Sequence, residues 1–268
     1  MRYYVQFSAW MFLSCFVPTS NANDSIATLG AGGIVFSHTE AIVMESEDLF
    51  ISEEKIRVAY QFHNMTDKDI TTRVAFPVPE FPQDPENDIN INLDTETKNP
   101  MNFSVVVEGE AQKFDTEVKK FDGLVKVTHH WQQVFPAGKT LSIQHEYVPA
   151  SGGESVLYFE PPVRQTLIKD YCIEPPLVKW IEKNNHYETG KYISPVYVDY
   201  ILTTGANWKD SIKKFRLTLQ KLNPEDKISF CGTGVKKVNA WTFVMEKDNF
   251  IPAKDLKILF LHSRTVGE

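Results

Sequence analysis

Apolar and polar positions alternate with a period of two along most of this chain. Ile56, Val58, Tyr60 and Phe62 alternate with Arg57, Ala59, Gln61 and His63, the pattern of a strand with one buried face. Turn residues Asn64-Met65-Thr66-Asp67-Lys68-Asp69 follow. A second run, Ile70–Phe76, stops at Pro77-Val78-Pro79, where ladder donors are lost, and the two runs predict a hairpin. Phe103, Val105 and Val107 form another alternating face; Gly109 turns the chain and Ala111–Val118 is expected to return antiparallel. Val125–Phe135 and Lys139–Val148 flank Pro136-Ala137-Gly138 and predict a third hairpin. Further strands are expected at Tyr197–Thr203, Phe215–Leu219, Ile228–Cys231, Trp241–Met245 and Leu256–Leu261.

Only one stretch reads as a helix. It follows Pro175-Pro176, carries Leu177, Val178, Trp180 and Ile181 on one stripe, and ends near Asn184-Asn185. Pro82–Pro100 is rich in Pro, Asn, Asp and Glu and lacks a core stripe, so it reads as a surface loop or an interrupted edge. These elements predict a mainly β protein: an antiparallel β-sandwich, built as two packed sandwich-like halves with one short helix around residues 175–185. The best boundary is Pro149-Ala150-Ser151-Gly152-Gly153, which would divide a β-sandwich-like half (23–150) from a β-rich half that carries the helix (151–268).

The amino terminus changes the picture of where this fold works. Arg2 is the only charge before Asp24, an apolar stretch runs from Val5 to Val17, and Ser20-Asn21-Ala22 supplies small residues at a cleavage site. Residues 1–22 therefore read as a cleaved signal peptide, and Phe12-Leu13-Ser14 before Cys15 is a poor lipidation box. The expected compartment is the periplasm or the exterior. Removing 22 of 268 residues leaves 246, and the formal charge goes from −7 to −8 because Arg2 leaves. An acidic chain without basic patches argues against nucleic acid as partner. No later segment offers the ~18 consecutive apolar residues of a spanning helix. Two cysteines remain after cleavage, Cys172 and Cys231, and an even pair in an oxidising space is most simply a disulfide. The metal or redox alternative needs further ligands or CxxC spacing, which the sequence lacks.

Motifs that carry chemistry are incomplete. Gly138-Lys139-Thr140 resembles the end of a phosphate loop, but Gln133 stands where the first glycine belongs and Pro136 occupies the cradle. Gly232-Thr233-Gly234 begins a dinucleotide fingerprint whose third glycine is Lys237. His145-Glu146 begins a zinc motif whose second histidine is Pro149, so His145 reads as a core histidine. His129 and His130 are neighbours on a strand and point to opposite faces, although one of them could meet His145. Glu45, Glu47 and Asp48 form the densest acidic patch, with Glu45 and Glu47 on one strand face. Trp208 follows a glycine turn, where it either stacks on a ligand or caps the sandwich.

Several segments occur in a telling order: Asn23-Asp24-Ser25, Gly32-Gly33, Met44-Glu45-Ser46-Glu47-Asp48-Leu49 and Val74-Ala75-Phe76-Pro77-Val78-Pro79. Tyr200-Ile201-Leu202-Thr203-Thr204-Gly205-Ala206-Asn207-Trp208, Phe230-Cys231 and Gly234-Val235-Lys236-Lys237 complete the series. Together they resemble the exported bacterial proteins grouped as DUF4424. The resemblance implies an exported, β-rich bacterial protein and brings no catalytic residues with it.

Three functional classes follow. The leading one is a non-catalytic envelope protein that binds another exported protein or a cell-surface polymer, with Glu45, Glu47, Asp48 and Trp208 as contact candidates and no cofactor. The second is an exported hydrolase drawing its acid and base from Glu45, Glu47, Asp48, His129 and His130. The third is a divalent-metal binder using Glu45, Glu47 and Asp48.

Overall fold

A computed structural model of the chain describes residues 24–30, 33–82, 93 and 97–267. The leader expected at 1–22, and most of the Pro82–Pro100 segment, lie outside the described residues. In chain order the first strands are β1 (Ser25–Gly30), β2 (Gly33–Ser37), β3 (Ile42–Ile51), β4 (Ile56–Asn64), β5 (Ile70–Pro77) and β6 (Phe81–Pro82). Then come β7 (Ser104–Val107), β8 (Glu110–Ala111), β9 (Asp115–Phe121), β10 (Leu124–Phe135), β11 (Thr140–Tyr147) and β12 (Gly152–Gly153). Helices α1 (Val163–Tyr171) and α2 (Pro175–Asn184) precede β13 (Lys191–Tyr200), β14 (Ile212–Gln220), β15 (Lys227–Phe230), β16 (Lys236–Lys237), β17 (Thr242–Phe250) and β18 (Leu256–Thr265).

The strands form three sheets. The first runs β2-β1-β5-β10, with β6 and β9 also paired to β10; the second runs β16-β17-β14-β3-β4-β11-β7-β8; the third runs β12-β13-β18-β15. Mainly antiparallel sheets stacked about an apolar interior match the expected fold class. The one parallel pairing among the described strands joins β3 to β14. Through it the large second sheet takes strands from both sides of Pro149–Gly153, and Gly152–Gly153 itself pairs with β13. One core, which includes Phe62, Trp131, Tyr200, Trp208, Phe215 and Phe260, is shared by all three sheets.

The predicted pairs around Asn64–Asp69 and Pro136–Gly138 are not hairpins. β4 and β11 pair with each other in the second sheet, and β5 and β10 pair with each other in the first. Both turns therefore carry the chain from one sheet to the other, side by side at one end of the sandwich. They are stitched together: the Gly138 N–H donates to the Thr66 carbonyl, the Asn64 N–H to the Lys139 carbonyl, and the Ala137 N–H to the Asp69 carboxylate. Asn64 is fully buried and its side-chain amide donates to the carbonyls of Phe135 and Lys68. Similarly, β7 turns through Glu108-Gly109 only into the two-residue β8, and β9 leaves to join β10 in the other sheet.

The third sheet is covered on both faces. Val198, Tyr200, Ile258 and Phe260 face the main core, whereas Ile193, Leu259 and Leu261 pack against Leu167 of α1 and Ile181 of α2. Strand periodicity explains the division, since alternate residues of β13 and β18 serve opposite faces. α2 begins at Pro175, as its proline pair requires. α1 was not expected. It ends at Cys172, which adopts a left-handed conformation (φ 51°) and is bonded to Cys231 just beyond β15, with the Cα atoms 5.0 Å apart. The disulfide expected from cysteine parity thus ties a helix to the edge of the third sheet.

Candidate ligand-binding cleft

The residues singled out by sequence do not assemble. A β-bulge between Met44 and Ser46 in β3 breaks the alternation, so Glu45 and Asp48 are exposed while Glu47 turns inward and is 1% exposed. The three carboxylates therefore cannot share one ion or one partner. Glu47 instead accepts a hydrogen bond from the Tyr200 hydroxyl (3.2 Å), which also lies 3.1 Å from the Tyr60 hydroxyl. Trp208 is likewise interior: its ring lies 4.3 Å from that of Phe62 and its N–H donates to the Asp24 carbonyl at 2.6 Å. Neither Glu47 nor Trp208 is a surface contact. The bulge for Glu47 and burial for Trp208 correct the expectation of a partner contact, and Trp208 instead caps the sandwich through its N–H.

The histidines are core residues too. His145 is surrounded by Phe76, Phe103, Trp131 and Tyr60, with ring centroids 4.9–5.6 Å away. Its Nε2 lies 3.4 Å from the Asp24 carboxylate, the spacing of an ion pair. Burial nevertheless pushes the imidazole down to about 3 and, with Glu47 nearby, the carboxyl well up, so the interior favours the uncharged form of each. His129 stacks on Phe103 at 4.0 Å, meets the Thr116 hydroxyl at 2.9 Å and is also pushed by burial to about 3. His130 accepts from the Arg73 guanidinium at 2.7 Å. The acid–base pool is thus dispersed between an outer face and the interior.

Two features that sequence reading missed lie together where the second and third sheets meet. The first is a clamp of buried charges. His262 of β18 places Nε2 2.7 Å from the Glu53 carboxylate, on the β3–β4 turn, and Nδ1 3.1 Å from the Asp226 carboxylate, before β15. Burial alone would lower the His262 pKa, but bonding and charge from Glu53 and Asp226 outweigh it and leave it raised. The ring therefore favours the imidazolium form, bridging two carboxylates. Among the described residues this trio is also the group close enough to hold a cation, with ligand atoms within 4.8 Å of one another. A metal would displace one of the two carboxylate contacts of the ring.

The second feature is a cleft of about 590 Å³ beside the clamp, within the range of small-molecule sites. Trp180 of α2, Phe230 of β15 and Phe243 of β17 supply aromatic walls, and Lys221, Lys227 and Lys237 bring three ammonium groups to it. Lys227 lies 5.1 Å from the Trp180 ring centre, and Lys221 and Lys237 lie 5.8 and 6.0 Å from that of Phe243. Lys221 is 4% exposed and donates to the main-chain carbonyls of Pro224 and Asp226 at 2.6 and 2.8 Å; Lys227 donates to that of Glu225. Burial, then the charges of Lys227 and Lys237, hold the Lys221 pKa below its ordinary value against the pull of Asp226 and Glu225. Glu174 and Asp226 also line the cleft, the latter facing His262. Cys172 forms part of the wall, so the disulfide braces it. Gly232 shapes the same wall, since a methyl there would collide with the Phe230 ring.

The family described as a domain of unknown function, DUF4424, matches residues 22–123 and 124–259. The chain belongs to the DUF4424 family. Among solved structures, this DUF4424 chain is similar to a protein from Legionella pneumophila described as a putative nutrient binding protein. They are 18% identical over 90% of this chain and 70% of that one, with a TM-score of 0.56, a likeness of fold. Weaker likenesses reach yeast LTA4 hydrolase (10% identity, TM-score 0.38) and an M1 zinc metallopeptidase from Deinococcus radiodurans (12%, 0.30). They cover 82% and 84% of the DUF4424 chain but only 28% and 43% of those proteins. No curated protein matches the sequence.

Proposed function

We propose that this DUF4424 protein is an exported binding protein of the bacterial cell envelope that holds a small ligand in the cleft between α2, β15 and β17. The cleft carries the reading: it joins rigid aromatic walls to a few convergent charged groups, the composition of a ligand site rather than of a core defect. The disulfide fits an oxidising compartment. The Legionella neighbour, described as a putative nutrient binding protein, fits a binding role.

The test is a ligand screen by thermal shift on the exported chain as its host processes it, repeated with Val235→Trp and Pro176→Trp, which fill the cleft from two sides. Ligands that raise Tm in the parent and lose that effect in both folded variants support the proposal. Ligands whose effect survives both substitutions place binding elsewhere and refute it.

A further inference from the structure

Resting on that cleft reading, we infer that the ligand is a small amphiphilic anion: a carboxylate or phosphate group attached to an apolar, planar body. The protein is acidic overall, with a formal charge of −7, yet three lysines from the turn that follows β14, from β15 and from β16 converge on one concavity. Like charges gathered in a partly desolvated site repel one another, and Lys227 and Lys237 do act on Lys221 in this way. Here they are held together. Main-chain carbonyls fix Lys221 and Lys227, and those dipoles orient the ammonium groups without cancelling their charge. Burial first, and then the charges of Lys227 and Lys237, lower the Lys221 pKa, and an incoming anion would relieve the second of these.

The carboxylates nearby do not fill that role. Asp226 turns its carboxylate to the His262 ring, and Glu174 stands exposed at the start of α2. The clamp thus engages the acid beside Lys221 with the His262 ring, and its pull, together with that of Glu225, does not outweigh burial and the two neighbouring lysines. Apart from Ser229, whose hydroxyl donates to the Tyr171 carbonyl, the rest of the lining is mainly apolar, with Trp180, Phe230, Phe243, Leu177 and Val235. A bare inorganic anion would leave these walls wet, and a neutral hydrocarbon would leave the lysines uncompensated. A ligand with an anionic head and a flat apolar body answers both. Lysine ammoniums act as point charges and lack the planar fork that favours carboxylate, so both head groups fall within the class.

Calorimetric titration of the exported chain with three probes tests this: phenyl phosphate, 4-phenylbutyrate and the uncharged 4-phenylbutanamide. At least one anion is expected to bind, and to bind about tenfold or more tightly than the amide, in line with the loss of a compensated charge. The head group that binds better identifies the source. Lys237 is exposed and Lys227 half-buried, so Lys227→Met/Lys237→Met should fold and should weaken anion binding about tenfold while leaving the amide unchanged. Equal binding of amide and anion overturns the inference, as does failure of both anions to bind at millimolar concentration. In either case, ligands from the screen that remain sensitive to Val235→Trp and Pro176→Trp would keep the cleft reading intact, so the two claims fail separately.

Discussion

Single residues show best how interior chemistry holds this fold. Trp208 is 1% exposed, packs on Phe62 and Phe135, and bonds the Asp24 carbonyl, which anchors the start of β1. Trp208→Ala should cost about 3–5 kcal/mol of unfolding free energy in urea, and Trp208→Phe less, because the smaller ring keeps part of the packing. The histidines give opposite pH dependences. His129 and His145 titrate near 3 when folded and near 6.5 when unfolded, so their stabilisation is complete above 6.5 and lost as pH falls toward 3. His262 is raised, so its contribution is complete below 6.5 and lost as pH rises through its folded value. Proton NMR should find the His262 ring titrating above 6.5, and a value below it would show that the carboxylate clamp does not operate. The sequence marked Glu47 and Trp208 as notable but could not place them. Strand alternation puts Glu45 and Glu47 on one face, and a single bulge, invisible in composition, reverses that.

At the level of elements, periodicity located most strands but not their partners. Two turns rich in Asn, Asp, Pro and Gly read equally well as hairpins or as crossings between stacked sheets, because turn chemistry fixes the local reversal and not which sheet receives the next strand. The deciding residue is Asn64, whose amide binds the Phe135 carbonyl of the neighbouring corner. Asn64→Ala should cost about 2 kcal/mol, since it strands buried carbonyls, and would be read from the urea midpoint at unchanged slope. α1 escaped notice because Val163–Tyr171 buries only Leu167 fully and offers a weak stripe. The disulfide was legible from parity alone. Cys172→Ser/Cys231→Ser should lower stability by up to about 4 kcal/mol in the chain-entropy account. The loss should first appear as faster amide exchange in α1.

For the whole molecule, the three sheets share one core, and the cleft opens where the second and third meet. Its walls come from α2, β15, β16, β17 and the turn that follows β14, spread from Cys172 to Phe243. Taken singly, Lys221, Lys227 and Lys237 read as ordinary solvated positions in the sequence; the pairing of β17 with both β14 and β16, and the meeting of that sheet with β15, bring them to one concavity. Because Cys172 lines that concavity, reduction should weaken ligand binding as well as the fold, a loss that titration before and after reductant would show. The most direct measurement is native mass spectrometry of the protein recovered from its own host's envelope, compared with the Val235→Trp form. A small-molecule adduct present in the first and absent from the second is the predicted result. An adduct retained at equal occupancy by the filled variant would contradict it.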